Sequence, residues 1–290
     1  GRQGISVIAD IGYRARLGDR LAAVALRLGD SALAVEAARG AFRARPTELR
    51  LLQLVVIAEA AGQRQLVLDR EAGEVLRPTW AHGDALAARV LVLAGRLEEA
   101  ITRFQRADAL GWGRPDHAGT VVLPVLLSAS AGLPIVASGS ALARLWDDLD
   151  APVRGYFDRR LLLDRVSSAT DGDELDLRGR PFSDLVREEL ASRPPPEALR
   201  GRWLSLAQIK LESATRDLLA SQHRRGQAVA AVLVVALAET MALTRGAEAA
   251  DAFVRTARRP HPKDGAFRQS LETLRAQSPI LLPRRNVSEQ

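Results

Sequence analysis

Histidines, carboxylate runs and arginine clusters are the side chains of this 290-residue chain whose types suit chemistry. The four histidines, His82, His117, His223 and His261, are scattered. No two share a helix at metal-ligand spacing, and no HExxH occurs. Surface or capping roles are expected of them. His223 differs in being followed by Arg224 and Arg225, a grouping that can hold an anion. The run Asp171-Gly172-Asp173-Glu174-Leu175-Asp176 collects carboxylates of the kind that bind a hard cation such as calcium. Its glycine is misplaced for an EF-hand and the closing bidentate glutamate is missing, so a solvated loop is expected. Asp147-Asp148-Leu149-Asp150 ends a helix, where acids oppose the dipole, and a turn-initiating or partner-facing role is expected. There is no GxSxG, no Walker loop and no GxGxxG, and nothing pairs a nucleophile with a base. Cysteine is absent, which removes disulfides, thiolate zinc sites and cysteine nucleophiles from this chain. A non-catalytic chain with no cofactor and no metal is expected.

Other residues have types suited to binding rather than reaction. Trp112 sits between Gly111 and Gly113, where it can serve as an exposed anchor or fold back over helix ends. All but two of the 41 basic residues are arginine, Lys210 and Lys263 being the exceptions. Alanine and arginine enriched together point first to genomic GC bias, and the net charge of +6 is modest for this length. The densest basic group is Arg255, Arg258, Arg259, His261, Lys263, Arg268 and Arg275, with Asp251, Asp264 and Glu272 as its only nearby acids. A nucleic-acid surface needs such a stripe, since arginine forks bind phosphate bidentately. The aromatics beside it, Phe253 and Phe267, fall at helix-core positions rather than stacking positions. The longest apolar run, Ala228–Ala238, is closed by Glu239 and falls short of the ~20 residues that span a bilayer. No signal peptide is visible, so a cytoplasmic protein with no membrane partner is expected. Gly1 is not an initiator methionine, which points to a fragment or a processed form.

The elements that carry these residues read as helices throughout. Alanine and leucine dominate and β-branched runs are few. Leu17, Leu21, Val24 and Leu28 place a stripe on a helix over 17–28 that Gly29 stops. Asp30 or Ser31 caps a second helix, which runs to about Arg45 before Pro46. Thr47 caps a third over 48–61 with Leu51, Leu54, Val55 and Ala58 inward and Gly62 as its stop. Helices follow over 65–76, 84–94, 97–110, 121–131, 140–149 and 153–166. Residues 167–182 read as a polar loop, and Pro194-Pro195-Pro196 as an extended linker. Helices resume over 197–221, 225–244, 247–258 and 264–276, before a tail. Each helix is too short to stand alone and must stack on its neighbours. The division expected is 1–166, helical repeats; 167–196, loop and linker; 197–278, further repeats; and 279–290, tail.

The offsets from Gly29 to Ala34, Ala41 and Pro46 resemble the tetratricopeptide repeat (TPR), and Gly95, Ala100, Phe104 and Ala107 match the same template. Longer stretches are similar to the C-terminal helical region of bacterial SWIM zinc-finger proteins. The similar phrases are Ala41-Phe42 with Pro46-Thr47, Val122-Leu123-Pro124-Val125-Leu126-Leu127, His223-Arg224-Arg225-Gly226-Gln227-Ala228, and Arg258 with His261-Pro262-Lys263-Asp264-Gly265-Ala266-Phe267-Arg268. The family's cysteine-rich zinc signature is absent, so the resemblance implies the helical part of a larger SWIM-type protein, without zinc chemistry.

Together these readings predict an all-α chain of roughly a dozen helices, stacked as antiparallel pairs in a TPR-like solenoid. Its expected function is a scaffold for a protein partner. The alternative is an accessory nucleic-acid-binding module using the arginine-rich C-terminal helices. Candidate interaction residues are Trp112, His223, Arg224, Arg225, Arg255, Arg258, Arg259, Lys263 and Arg268.

Overall fold

A computed structural model describes residues 2–106, 116–132, 137–152, 180–220, 224–259 and 265–281, with the side chains of 2–11, 224 and 225 left aside. The described residues are all helical in their regular structure, with no strand. In chain order the helices are α1 (Arg2–Arg27), α2 (Ser31–Ala44), α3 (Glu48–Ala60), α4 (Arg64–Val75), α5 (Asp84–Leu93), α6 (Leu97–Arg106), α7 (Gly119–Ser130) and α8 (Ala141–Asp147). They continue as α9 (Phe182–Ser192), α10 (Glu197–Ala220), α11 (Arg224–Arg245), α12 (Ala247–Arg258) and α13 (Gly265–Gln277). The expected helix over 153–166, the acidic run 171–176, Ala107 and the tail from 282 onward lie outside the described residues.

Local chemistry sets most of the boundaries. The Asp30 carboxylate accepts a hydrogen bond from the Leu33 amide at 2.9 Å and caps α2. Thr47 does the same for α3 through the Arg50 amide, and Ser140 for α8 through Ala143. Gly29, Gly62 and Gly95 all have positive φ, between 67° and 73°. Each closes its helix with the same pair of backbone bonds: Gly29 and Asp30 donate to Leu26 and Ala25, Gly62 and Gln63 to Glu59 and Ala58, Gly95 and Arg96 to Val92 and Leu91. This is the Schellman turn, whose left-handed residue favours glycine. The same interval, 33 residues, separates Gly29 from Gly62 and Gly62 from Gly95. The residue five places after each glycine, Ala34, Val67 and Ala100, is buried.

The chain forms two compact units, one of residues 1–100 with 150–185 and one of residues 101–149 with 186–290. In the first, α1 to α5 pack serially, each against its successor. Phe42, Leu51, Leu54, Leu68 and Leu91 are among its buried side chains. Leu51, Leu54, Val55 and Ala58 point inward as expected. The α1 stripe does not. That helix buries Ala15, Ala22, Ala25 and Leu26, while Leu17, Leu21, Val24 and Leu28 face solvent. The reason is the tight approach to α2: a Cβ on Gly18 would stand 2.9 Å from both the Ala37 carbonyl oxygen and the Ala41 Cβ. At that separation the contact face selects small residues, and the large apolar ones fall on the other side.

The second unit is organised around α11, which packs against α7, α8, α10, α12 and α13. Leu233, Val235, Ala236, Leu237 and Ala238 are fully enclosed. The stretch Gly226–Arg245 is long and apolar enough to cross a bilayer by length and composition alone, and here it forms the centre of a helical core. Helix α9 was not expected from sequence; Phe182, Leu185 and Val186 bury its first turns. The triple proline, expected to be a linker between domains, joins α9 to α10.

Candidate functional site

Of the nine sequence-picked residues, Trp112, His223 and Lys263 lie outside the described residues, as do the side chains of Arg224 and Arg225 at the start of α11. The structure places Arg255, Arg258 and Arg259 at the end of α12 and Arg268 on α13. Arg255 and Arg259 are exposed. Arg258 is tied to Glu272 at 3.1 Å, and Arg275 is hydrogen-bonded to Asp251. Acids on both helices therefore interleave with the arginines, and two of the cluster's described arginines, Arg258 and Arg275, are taken up in exposed interhelical pairs. Such exposed pairs contribute only ~0–1 kcal/mol each.

A second surface is built on α1. Tyr13, Leu17, Leu21, Val24 and Leu28 are 42–76 % exposed. At 3.6 residues per turn these five positions fall within ~80° of one another, so they form one continuous apolar face. Arg16, Arg20 and Arg27 follow along one flank and Arg14 stands on the other, all exposed. The one acid between residues 12 and 27, Asp19, points to the opposite side, where Arg50 of α3 holds it at 2.8 and 3.3 Å. Single exposed leucines are ordinary on a soluble protein, but a contiguous apolar strip rimmed by charge marks an interaction face. Sequence periodicity locates these residues on one stripe without saying which way it faces. The signal for its direction is the small-residue series Ala15, Gly18, Ala22 and Ala25 on the same helix.

Several ionisable groups buried among the described residues are held by structural contacts. In the first unit, Glu71 is 1 % exposed and accepts from Arg39 Nε at 3.0 Å and from Arg43 Nη2 at 3.1 Å. Arg89 is buried with its guanidinium 4.5 Å from the centre of the Phe182 ring. Burial lowers its pKa to about 10, against the pull of Glu48 and Asp150. Asp150 caps α9, accepting from the Ser183 amide and hydroxyl, which is the role of that acid in the Asp147–Asp150 run. In the second unit, Glu239 accepts from the Ala141 and Leu142 amides at 3.0 and 2.8 Å and from the Ser278 hydroxyl at 2.6 Å. Burial pushes its carboxyl above the usual range, while Ser278 and the two amides pull it back. His117 is a cap as well, its Nδ1 accepting from the Gly119 amide at 2.9 Å. Among the described residues no three His, Asp or Glu side chains converge as metal ligands.

Comparison of the chain with protein-family models, with curated proteins and with solved structures gives no match.

Proposed function

We propose that this chain is a non-catalytic, TPR-like helical-repeat scaffold that binds a protein partner, as part of a larger SWIM-type protein. The observation that carries the reading is the exposed apolar face of α1 formed by Tyr13, Leu17, Leu21, Val24 and Leu28. Leaving five large apolar side chains on one helix in water costs free energy at ~25 cal/mol per Å² of apolar surface, and covering them recovers it. The repeat half of the proposal draws on the constant interval of the three glycine turns and on the serial packing of α1 to α5. The expected small residues Ala34, Ala41 and Ala100 are all buried, in keeping with the template.

A photo-crosslinking residue placed at Leu21 tests the proposal in living cells. A discrete protein adduct is expected from this position and none from the exposed position Arg202 on α10. Absence of any adduct from Leu21, Val24 and Leu28 overturns the reading. The second reading, nucleic-acid binding by α12 and α13, has the exposed Arg255 and Arg259 in its favour and the Glu272 and Asp251 pairings against it. It requires affinity that falls with salt at a log–log slope near −0.9 for each duplex phosphate contacted, and a flatter slope once Arg255 and Arg259 are made neutral.

A further inference from the structure

The 33-residue interval between Gly29, Gly62 and Gly95 also relates the helices that lead into those turns, so residues of α1 have counterparts in α3 and in α5. Leu21 and Val24 correspond to Leu54 and Ile57 in α3 and to Ala87 and Val90 in α5. These four counterparts are 0–2 % exposed, whereas Leu21 and Val24 are 42 and 47 % exposed. The opposite side does not change: Ala22 and Ala25 are buried, and so are Val55, Ala58, Ala88 and Leu91. One face is therefore closed in all three helices, and the other is closed in α3 and α5 and open in α1. The residues at the edges of that second face show what lies against it. Arg50, the counterpart of Leu17, donates to the Arg45 carbonyl at the end of α2 at 3.3 Å and to Asp19 of α1 at 2.8 Å. Ala94, the counterpart of Leu28, accepts at its carbonyl from Gln65 of α4 at 3.4 Å. In both cases the contact comes from the hairpin that precedes in the chain, and α2 packs on α3 as α4 packs on α5. The open face of α1 thus continues an interface already made twice in this unit. It stands at the end of the array, where a terminal repeat ordinarily carries a polar outer surface.

Resting on the scaffold reading above, which supplies a protein partner, we infer that this partner is itself built of helix hairpins and that its terminal hairpin stacks on Leu17, Leu21, Val24 and Leu28 of α1, as the α1–α2 hairpin stacks on α3. The array then continues across two proteins. A second copy of the chain offering its own α1 fits poorly, because two first helices would meet, a pairing that neither α2 with α3 nor α4 with α5 provides. A lipid surface needs only an amphipathic helix, and gives no reason for the apolar positions of α1 to coincide with buried positions one and two repeats on.

The test uses the full chain and a derivative in which residues 15–47 are duplicated in tandem, so that residues 1–47 are followed by 15–290. The insertion is 33 residues long and keeps the interval, which sets a complete α1–α2 hairpin ahead of the second copy of the face. Leu21→Ser in that second copy is expected to lower the melting temperature by at least about 2–4 °C, against less than about 1 °C in the natural chain, where the side chain already meets water. In cells, a photo-crosslinking residue at Leu21 of the first copy should capture the partner, and the same residue in the second copy should not. Mass spectrometry should place the attachment in the second helix of a hairpin. Equal sensitivity of the two chains to Leu21→Ser, or equal capture from the two copies, overturns the inference. So does a dimer by analytical ultracentrifugation that Leu21→Ser dissociates, which assigns the face to a second copy. Uptake onto phosphatidylserine vesicles through these residues, with no protein adduct, assigns it to a membrane and overturns the inference as well. If the duplicated chain does not fold, the attachment point mapped with the natural chain decides alone. An adduct to a loop, a strand or an extended segment sinks this inference and leaves the scaffold standing, whereas no adduct from Leu21, Val24 or Leu28 sinks both.

Discussion

Among the described residues each unit buries one carboxylate almost completely, and the two are satisfied in opposite ways. Glu71, in the first unit, is held by cations: Arg39 at 3.0 Å and Arg43 at 3.1 Å, with Arg39 also reaching Glu36 at 2.7 Å. Glu239, in the second, has no ion pair among the described residues and is held by two amides and a hydroxyl, with Arg144 acting on it only at longer range. The first arrangement joins α2 to α4 through side chains alone. The second joins the backbone of α8 to α11 and to the residue that follows α13, since Ser278 also accepts from the Ile280 and Leu281 amides. A serial stack needs only neighbour-to-neighbour ties, and exchangeable ion pairs provide them. A hub must fix helices that approach from several directions, and backbone donors do that with less freedom.

The comparison breaks most visibly at Glu71. Glu71→Ala removes the main partner of Arg39, which is itself buried, and should cost ~3–5 kcal/mol by urea unfolding. The paired replacement Arg39→Met with Glu71→Leu should restore most of that loss or exceed wild type by ~1–4 kcal/mol, because an apolar pair avoids desolvating two charges. A double variant as unstable as the single one refutes the ion-pair account of this site.

Glu239→Gln should cost ~1–3 kcal/mol, because one of the two amides then faces an NH₂ group instead of an oxygen. No second substitution should rescue it, since the donors belong to the backbone. A pH titration sharpens the contrast. The Glu239 pKa is raised in the folded state, so the folded chain binds the proton more tightly than the unfolded one. Stability attributable to this group is therefore greatest below the ordinary carboxylate pKa of ~4.3 and falls as pH rises towards the raised folded value. Wild type measured against Glu239→Gln should lose its relative advantage across that window; a flat difference refutes the assignment. The smallest effect is expected at the rim of the Glu71 cluster, where Arg70 lies 3.7 Å from Glu36 with both side chains half exposed or more. Arg70→Ala should change stability by no more than ~0.5 kcal/mol and even less in high salt.

Much of the first unit was legible in its punctuation. Glycine stops, the Asp30 and Thr47 caps and Pro46 locate helix ends to within a residue or two, because those signals act locally. The constant interval of the turns was harder to see, since the middle copy carries Val67 where its companions carry Ala34 and Ala100. Helix α9 escaped although Phe182, Leu185, Val186 and Leu190 keep helical spacing, because it is only 11 residues long and lies between a polar, Asp- and Gly-rich stretch and the triple proline, which together read as loop and linker. The side that α1 turns inward was not legible for a different reason: periodicity reports that a stripe exists, while the distance to the neighbouring helix decides whether large or small residues face it. The basic cluster was visible as composition, but its neutralising partners were not, because Arg275 and Asp251 stand 24 residues apart and meet only through the packing of α12 on α13.

The position of α11 also sets a clock on the chain's synthesis. Its bond from Glu239 to the Leu142 amide spans 97 residues, and its packing on α7 and α8 spans comparable lengths. At ~5–20 residues per second, α8 emerges from the ribosome some ~5–20 s before the helix that covers it. Hairpins such as α1–α2 and α3–α4 can close as they emerge, whereas the apolar surfaces of α7 and α8 must wait. Nascent chains arrested between residues 150 and 240 should therefore recruit holdase chaperones on α7 and α8, and release them once α11 has cleared the exit tunnel.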